Sequence, residues 1–114
     1  MAGTQEELAR RWAERIQAGT FSPAVLGLGT IRVMGKSGDA PVAFPRIATL
    51  DALPGLEPDE QWAVQVAMEL VRQAHGQDRR VLAVQPGLGT PPTQVASFQP
   101  DASSLVVVSM IRGG

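Results

Sequence analysis

The sequence predicts an α+β fold in which helices pack against one mixed β-sheet. Apolar residues recur at the spacing of an amphipathic helix in residues 4–19 and again in residues 58–76. Short runs of β-branched residues, separated by glycine, proline and aspartate, are typical of strands and turns. The last run, residues 105–111, is apolar on both faces, so we expect a central strand with cover on each side of the sheet.

Length and composition exclude several classes of protein. At 114 residues, without a linker rich in glycine, serine or charge, the chain is expected to form one domain. The absence of cysteine excludes disulfide scaffolds, thiolate metal sites and cysteine nucleophiles. His75 is the one histidine, and its place in the last turn of a predicted helix is typical of a cap or surface residue. We therefore expect no enzymatic activity, no cofactor and no metal site.

Charge and hydropathy argue against two classes of partner. Lys and Arg number 10 and Asp and Glu number 11, so no net field attracts nucleic acid or an anionic membrane. Arg79 and Arg80 form a small basic patch without interleaved aromatic residues. The longest apolar run is far below the roughly 20 residues of a membrane span, and no signal peptide is recognisable at the N-terminus. We expect a cytoplasmic protein that binds neither nucleic acid nor membranes.

Residues 1–23 are predicted to form an additional amphipathic helix that packs on the core. Thr4 and Glu7 have the spacing of a capping box, and Gly19 is a natural left-handed cap at the other end. The apolar stripe of this helix consists of Leu8, Trp12 and Ile16. This stripe is interpreted as a lid over the core.

Residues 24–34 and 41–50 are predicted to pair as a hairpin. Gly27 and Gly29 weaken the first strand and indicate a bulge or a close approach of backbone. Pro45 cannot donate to a ladder, so the second strand is placed at the edge of the sheet or at a bulge.

The second helix is the clearest in the chain. Pro58 suits its first turn, Asp59 and Glu60 complement the positive end of its dipole, and Gly76 is predicted to cap its far end. The face toward the sheet is expected to contain Trp62, Val66 and Leu70, flanked by Ala63, Ala67 and Ala74. Val64, Met68 and Val71 widen this apolar face enough to predict contact with the first helix as well.

The remaining residues complete the sheet. Residues 79–85 read as a third strand, and residues 86–93 are too rich in glycine and proline for regular structure. Residues 95–98 are interpreted as a short strand that precedes a turn at residues 99–102.

Two kinds of catalytic or binding motif are rejected. Gly35, Lys36 and Ser37 look like the end of a phosphate-binding loop, but Thr30 stands where that motif needs its first glycine, and a strand rather than a helix is predicted to follow. A hairpin turn is the better interpretation. The acidic pairs considered for acid–base catalysis are Glu6 with Glu7 and Asp59 with Glu60. Both pairs lie in the first turn of a helix, where the dipole explains them.

The end of the chain carries the functional signal. Gly113 and Gly114 have no side chains to pack and a high ordering cost, so a flexible arm is expected to leave the central strand. A C-terminal carboxylate flanked by glycines is unhindered and fits a narrow channel. It can be adenylated there and transferred to a thiol, an amine or sulfide.

Strand order and the terminal residues resemble ubiquitin-like proteins. After residue 24 the elements follow the β-grasp order β-β-α-β-β-β, in which the first and last strands are parallel neighbours at the sheet centre and the second lies at an edge. Residues 103–114 are similar to the end of ubiquitin: Ser-Ser-Leu, alternating aliphatic residues, then Ile-Arg-Gly-Gly. The resemblance implies a β-grasp-like domain over residues 24–114, to which residues 1–23 add a helix.

The resemblance also implies roles for three residues. Gly114 would be activated by an ATP-using enzyme, Gly113 would keep the arm slim, and Arg112 would help that enzyme recognise it. The chain is then expected to be a protein modifier or a sulfur carrier. Lys36 is the single lysine, which puts lysine-linked chains in doubt.

Two alternatives remain open from the sequence. One is a non-catalytic interaction module or complex subunit, whose partner binds the loop at residues 86–93 or adds a strand to an exposed edge near Pro45. The other is a small-ligand domain, because Gly-Leu-Gly-Thr occurs at residues 27–30 and again at residues 87–90. The two segments would then line one pocket.

Overall fold

A computed structural model describes residues 4–33, 41–77, 79–84 and 91–109. Two α-helices, one 3-10 helix and five strands lie in these ranges. In chain order they are α1 (Gln5–Ala18), β1 (Gly27–Val33), β2 (Val42–Arg46), the 3-10 helix (Leu50–Gly55), α2 (Pro58–Gly76), β3 (Arg79–Val84), β4 (Thr93–Gln94) and β5 (Ser104–Ser109). The chain is therefore an α+β protein.

The five strands form one mixed sheet in the order β2-β1-β5-β3-β4. β1 and β5 run parallel, with Ile31 opposite Leu105. β2 is antiparallel to β1, and β3 is antiparallel to both β5 and β4. The predictions that the first and last strands are parallel neighbours inside the sheet, and that the second strand lies at an edge, are confirmed.

The fourth strand lies two residues earlier than predicted. Pairing joins Ala83 to Thr93 and Leu82 to Gln94, and a further bond runs from the Val95 amide to the Val81 carbonyl. Beyond Val95 the chain leaves the sheet, because Phe98 turns into the core. The predicted strand at residues 95–98 was therefore wrong.

The core lies between α2 and one face of the sheet. Phe98 meets Phe44 edge-on, with ring centroids 5.3 Å apart. The sheet contributes Ile31, Phe44, Val81, Leu105 and Val107, and α2 contributes Val64, Ala67, Val71 and Ala74. Burial of this apolar surface is the main favourable term in folding.

The face of α2 that meets the sheet was predicted in part: the flanking alanines and valines are buried, and the predicted central stripe is not. Its buried apolar side chains are Ala63, Val64, Ala67, Val71 and Ala74, whereas Trp62, Val66 and Leu70 are half-buried. The alanines let the helix backbone lie close to the strands, and the bulkier stripe lies beside the contact. The helix also extends through Gly76 to a cap at Gln77, so the predicted cap was one residue too early.

α1 begins and ends as predicted. The Thr4 hydroxyl accepts a hydrogen bond from the Glu7 amide at 3.2 Å, and Gly19 closes the helix in the left-handed region at φ 70°. Trp12 is the buried residue of this helix, while Leu8 and Ile16 are half-buried. The helix packs against α2.

Trp12 also closes part of the outer edge of the sheet. Its indole N–H donates to the Ala43 carbonyl of edge strand β2 at 2.9 Å, and its ring lies 5.9 Å from that of Phe21. Pro45 in the same strand is less than 2% exposed. The edge near Pro45 is thus covered rather than exposed, which is a common way to protect an edge strand.

Gly29 is required by a close approach between β1 and its neighbours. A Cβ at this position would lie 2.5 Å from the Ala102 carbonyl oxygen and 2.6 Å from the Phe44 ring. The predicted close backbone approach is confirmed here.

Replacing Gly29 by alanine is expected to lower the free energy of unfolding by about 1–3 kcal/mol, because the methyl group overpacks the core. Gly76→Ala is the matched control, since nothing lies within 4 Å of its added Cβ. We expect the control to be stabilised by about 0.5–1 kcal/mol through loss of backbone freedom in the unfolded chain. Urea unfolding followed by far-ultraviolet circular dichroism measures both, and equal stabilities would contradict the packing.

Candidate functional site

The predicted conjugation residues Arg112, Gly113 and Gly114 lie outside the described residues. The described part of the chain ends at Ser109, which pairs with Arg79 of β3. On the other side of β5, Val107 pairs with Val33 of β1. The strand that leads toward the terminal glycines is therefore held by neighbours on both sides.

In the described part of the chain, the central strand is fully covered on one face and partly covered on the other. Leu105 and Val107 are at most 1% exposed, because they point toward α2. Val106 and Val108 point to the other side and are half-buried. The expectation that both faces of this strand are covered was therefore wrong: a run of consecutive valines is equally compatible with a half-exposed face in a sheet interior.

The face of the sheet turned away from α2, here called the outer face, joins aliphatic and basic side chains. Arg32, Val106 and Leu82 lie side by side in register across β1, β5 and β3, and Arg80 pairs with Val108 in the next row. Both arginines are exposed. The outer face thus places two cations around a strip of half-buried aliphatic residues, beside the end of β5.

Some of the remaining sequence motifs lie within the described residues, and others lie outside them. Residues 27–30, the first Gly-Leu-Gly-Thr segment, lie in β1 and therefore form a strand rather than a pocket-lining loop. The second segment, residues 87–90, lies outside the described residues, as do Gly35, Lys36 and Ser37. His75 is exposed in the last turn of α2, where it was predicted.

Asp59 and Glu60, which the sequence explained by the helix dipole alone, are buried. Asp59 is 2% exposed and Glu60 is fully buried. Glu60 accepts hydrogen bonds from the Ser22 amide at 2.9 Å, from the Ser22 hydroxyl at 2.5 Å and from the Glu57 amide at 2.9 Å. These bonds tie the chain after α1 to the start of α2.

Asp59 joins α1 to α2 through an ion pair. Arg15 Nε lies 2.7 Å from Asp59 Oδ2, and Arg15 Nη2 donates to Oδ1 at 3.2 Å. The hydrogen bond with Asp59 raises the pKa of the Arg15 guanidinium. Such a two-pronged contact fixes orientation as well as distance.

The buried carboxylates form a structural clamp rather than an acid–base pair. Each carboxylate is bound by donors from this chain, and no buried side-chain nitrogen or oxygen in the described residues lacks a partner. Sequence reasoning missed the clamp because Glu6 and Glu7 occupy the same helical position without being buried. Nothing in the sequence separates the two pairs.

Three further findings concern metal ligands, membrane-spanning helices and similarity to known proteins. Among residues 4–33, 41–77, 79–84 and 91–109, no group of acidic or histidine side chains is arranged to hold a metal ion. Neither helix of this described part is long and apolar enough to cross a bilayer. Comparison with models of protein families, with curated proteins and with solved structures finds no match to this chain.

Glu60→Gln is expected to lower the free energy of unfolding by about 2–4 kcal/mol, because the amide cannot accept from all three donors. The matched control is Glu69→Gln on the same helix. Arg72 donates to Glu69 in an exposed pair and lowers the pKa of that carboxyl group, but exposed ion pairs add little to stability. Urea unfolding measures the free energy of unfolding of both variants. Equal values would show that the clamp does not contribute to stability.

Proposed function

We propose that this chain is a ubiquitin-like protein modifier or sulfur carrier with a β-grasp fold, activated at the carboxylate of Gly114. It acts as the substrate of an ATP-using enzyme and has no catalytic activity of its own. The observation that carries the proposal is the central position of β5 beside the parallel strand β1. The strand that precedes the terminal glycines is thus one of the three strands in the described residues that are paired on both sides.

The strand order supports the β-grasp assignment. β1 and β2 form an antiparallel pair, α2 crosses one face of the sheet, and β3, β4 and β5 follow in the order 2-1-5-3-4. A parallel pair reached through a helix is the connection this fold requires. α1 is an addition, which Asp59 and Glu60 hold in place.

The proposed chemistry needs only a free and unhindered carboxylate. The Gly114 carboxylate attacks the α-phosphorus of ATP, pyrophosphate leaves, and an acyl adenylate forms. A thiol of the enzyme, or a sulfide donor, then attacks the acyl carbon and AMP leaves. Gly113 and Gly114 have no Cβ to obstruct this passage, and Arg112 adds a positive charge by which the arm can be oriented.

The outer face supports the proposal as a contact for the activating enzyme. Arg32 and Arg80 flank Val106 and Val108 at the end of β5 that precedes the arm. An enzyme that receives the arm has to cover this end of the sheet, and the half-buried side chains of Val106 and Val108 offer it an apolar contact.

Deleting Gly114 is expected to abolish activation. The deletion shortens the arm by about 3.5 Å, and misplacing a reacting group by about 1 Å already costs about 100-fold in rate. ATP–pyrophosphate exchange with a purified adenylating enzyme of the source organism measures the effect. Gly76→Ala is the matched control, because it changes a glycine in α2 and leaves the arm intact. Equal exchange by the intact and shortened chains removes the proposal.

The product distinguishes the two forms of the proposal. A modifier is transferred to an amine of a second protein, whose mass then increases by that of the modifier. A sulfur carrier instead ends in a thiocarboxylate. Intact-mass spectrometry after incubation with enzyme, ATP and sulfide separates them. Both require that Gly114 carries the free terminal carboxylate.

An interaction module or complex subunit remains the second candidate. Edge strand β4 favours it, because Thr93 and Gln94 are exposed while Trp12 covers part of the opposite edge. A partner strand would therefore add to β4, next to the proline-rich residues 86–93. For this function, binding is expected to survive deletion of Gly114 and to be lost when residues 86–93 are scrambled. Isothermal titration with the partner measures both, and the opposite pattern favours the carrier.

A further inference from the structure

A crevice of about 530 Å³ opens at the end of the sheet where β5 begins. It lies between the last residue of β2, the last residues of β3 and the segment that returns from β4 to β5. Its lining includes Arg46, Ala83, Val95, Asp101 and Ser103. This is the opposite end of β5 from the one that leads toward Gly114, so the crevice is separate from the proposed carrier function.

In the described part of the chain, Arg46 forms a hydrogen bond through Nε and none through its two terminal amino groups. Its Nε donates to the Asp101 carbonyl at 2.9 Å, which fixes the plane of the guanidinium. Within the described ranges, Nη1 and Nη2 form no hydrogen bond or ion pair. Gly27, which pairs with Arg46, has φ 139°, and an added Cβ there would lie 3.7 Å from Nη1. Nη1 therefore lies close to the backbone of Gly27.

The charges around the crevice select the ligand. Two parallel N–H groups of a guanidinium match the two oxygens of a carboxylate. Asp101 uses only its backbone carbonyl toward Arg46, so its exposed carboxylate remains as a negative charge on the same crevice. A ligand with two negative charges is therefore disfavoured. Ala83, Val84 and Val95 offer an apolar wall for the body of the ligand.

We propose that this crevice binds a small monocarboxylate with an apolar body, its carboxylate paired with Arg46. The ligand is bound by Arg46 and the apolar wall, with Thr93, Gln99 and Ser103 as further polar groups.

Benzoate is the probe for this site, and titration is followed by ¹⁵N–¹H correlation spectra of the full chain. We expect saturable shifts at Arg46, Ala83, Val95 and Asp101, with a dissociation constant on the order of 1 mM for so small a ligand. Benzamide has the same shape without the charge and should bind about tenfold more weakly. Phenyl phosphate should also bind more weakly because of its second charge.

Substitutions of Arg46 and Asp101 are expected to change the affinity for benzoate in opposite directions. Arg46→Gln should weaken benzoate binding about tenfold, and Arg46→Lys should restore part of it, because a lysine keeps the charge but not the two-pronged geometry. Asp101→Asn should strengthen binding about twofold to fivefold by removing a nearby negative charge. Arg10→Gln, an exposed arginine of α1, is the control and should leave binding unchanged, as should deletion of Gly114.

The proposal is overturned if benzamide binds as tightly as benzoate. It is also overturned if the shifts map instead to a second, more apolar groove, which lies between α2 and Phe98 and is lined by Met68, Val71 and Phe98. Unchanged affinity in both Arg46→Gln and Asp101→Asn also overturns it. Should Arg46→Gln fail to fold, the benzoate and benzamide titrations of the natural chain and the Asp101→Asn variant decide the question. Loss of activation without loss of benzoate binding separates this site from the carrier function.

Discussion

The parallel pairing of β1 with β5 is the constraint on which the structure depends. It brings the beginning and the end of the described core side by side, with Ile31 opposite Leu105 and both side chains fully buried. Parallel strands cannot be joined by a tight turn, so the chain between them has to cross the sheet. α2 makes that crossing, and its alanines and valines form the other half of the core.

The N-terminal helix is joined to this core by polar contacts as much as by apolar ones. Trp12 both fills an apolar site and donates to the Ala43 carbonyl, while Arg15 reaches the buried carboxylate of Asp59. Removing one partner of a buried ion pair lowers stability strongly, because the other charge is left buried without a partner. Replacing the whole pair by apolar residues changes stability much less. α1 is therefore fixed in one orientation, and it covers the part of edge strand β2 near Ala43.

The two ends of β5 have different chemical surroundings. At its C-terminal end the outer face combines Arg80 with half-buried valines. At its N-terminal end Arg46 and Asp101 stand beside a crevice of small-ligand size. One central strand thus lies between the surface proposed for protein contact and the crevice proposed for ligand binding, and the two proposals can be tested independently.

The sequence by itself determined the local elements, because their signals are local. Thr4 and Gly19 delimit α1, Pro45 marks an edge strand, and Gly29 marks a close approach. The functional prediction for Gly114 also comes from the sequence, since it depends on residue type and position alone. The β4 boundaries, the half-buried state of Trp62, Val66 and Leu70, and the cap at Gln77 were missed, because packing against distant residues overrides local pattern. Only the tertiary structure decided that Asp59 and Glu60 are buried and that Arg46 faces a crevice. The groups that contact these side chains are distant in the sequence: Arg15 binds Asp59, and the Asp101 carbonyl accepts from Arg46.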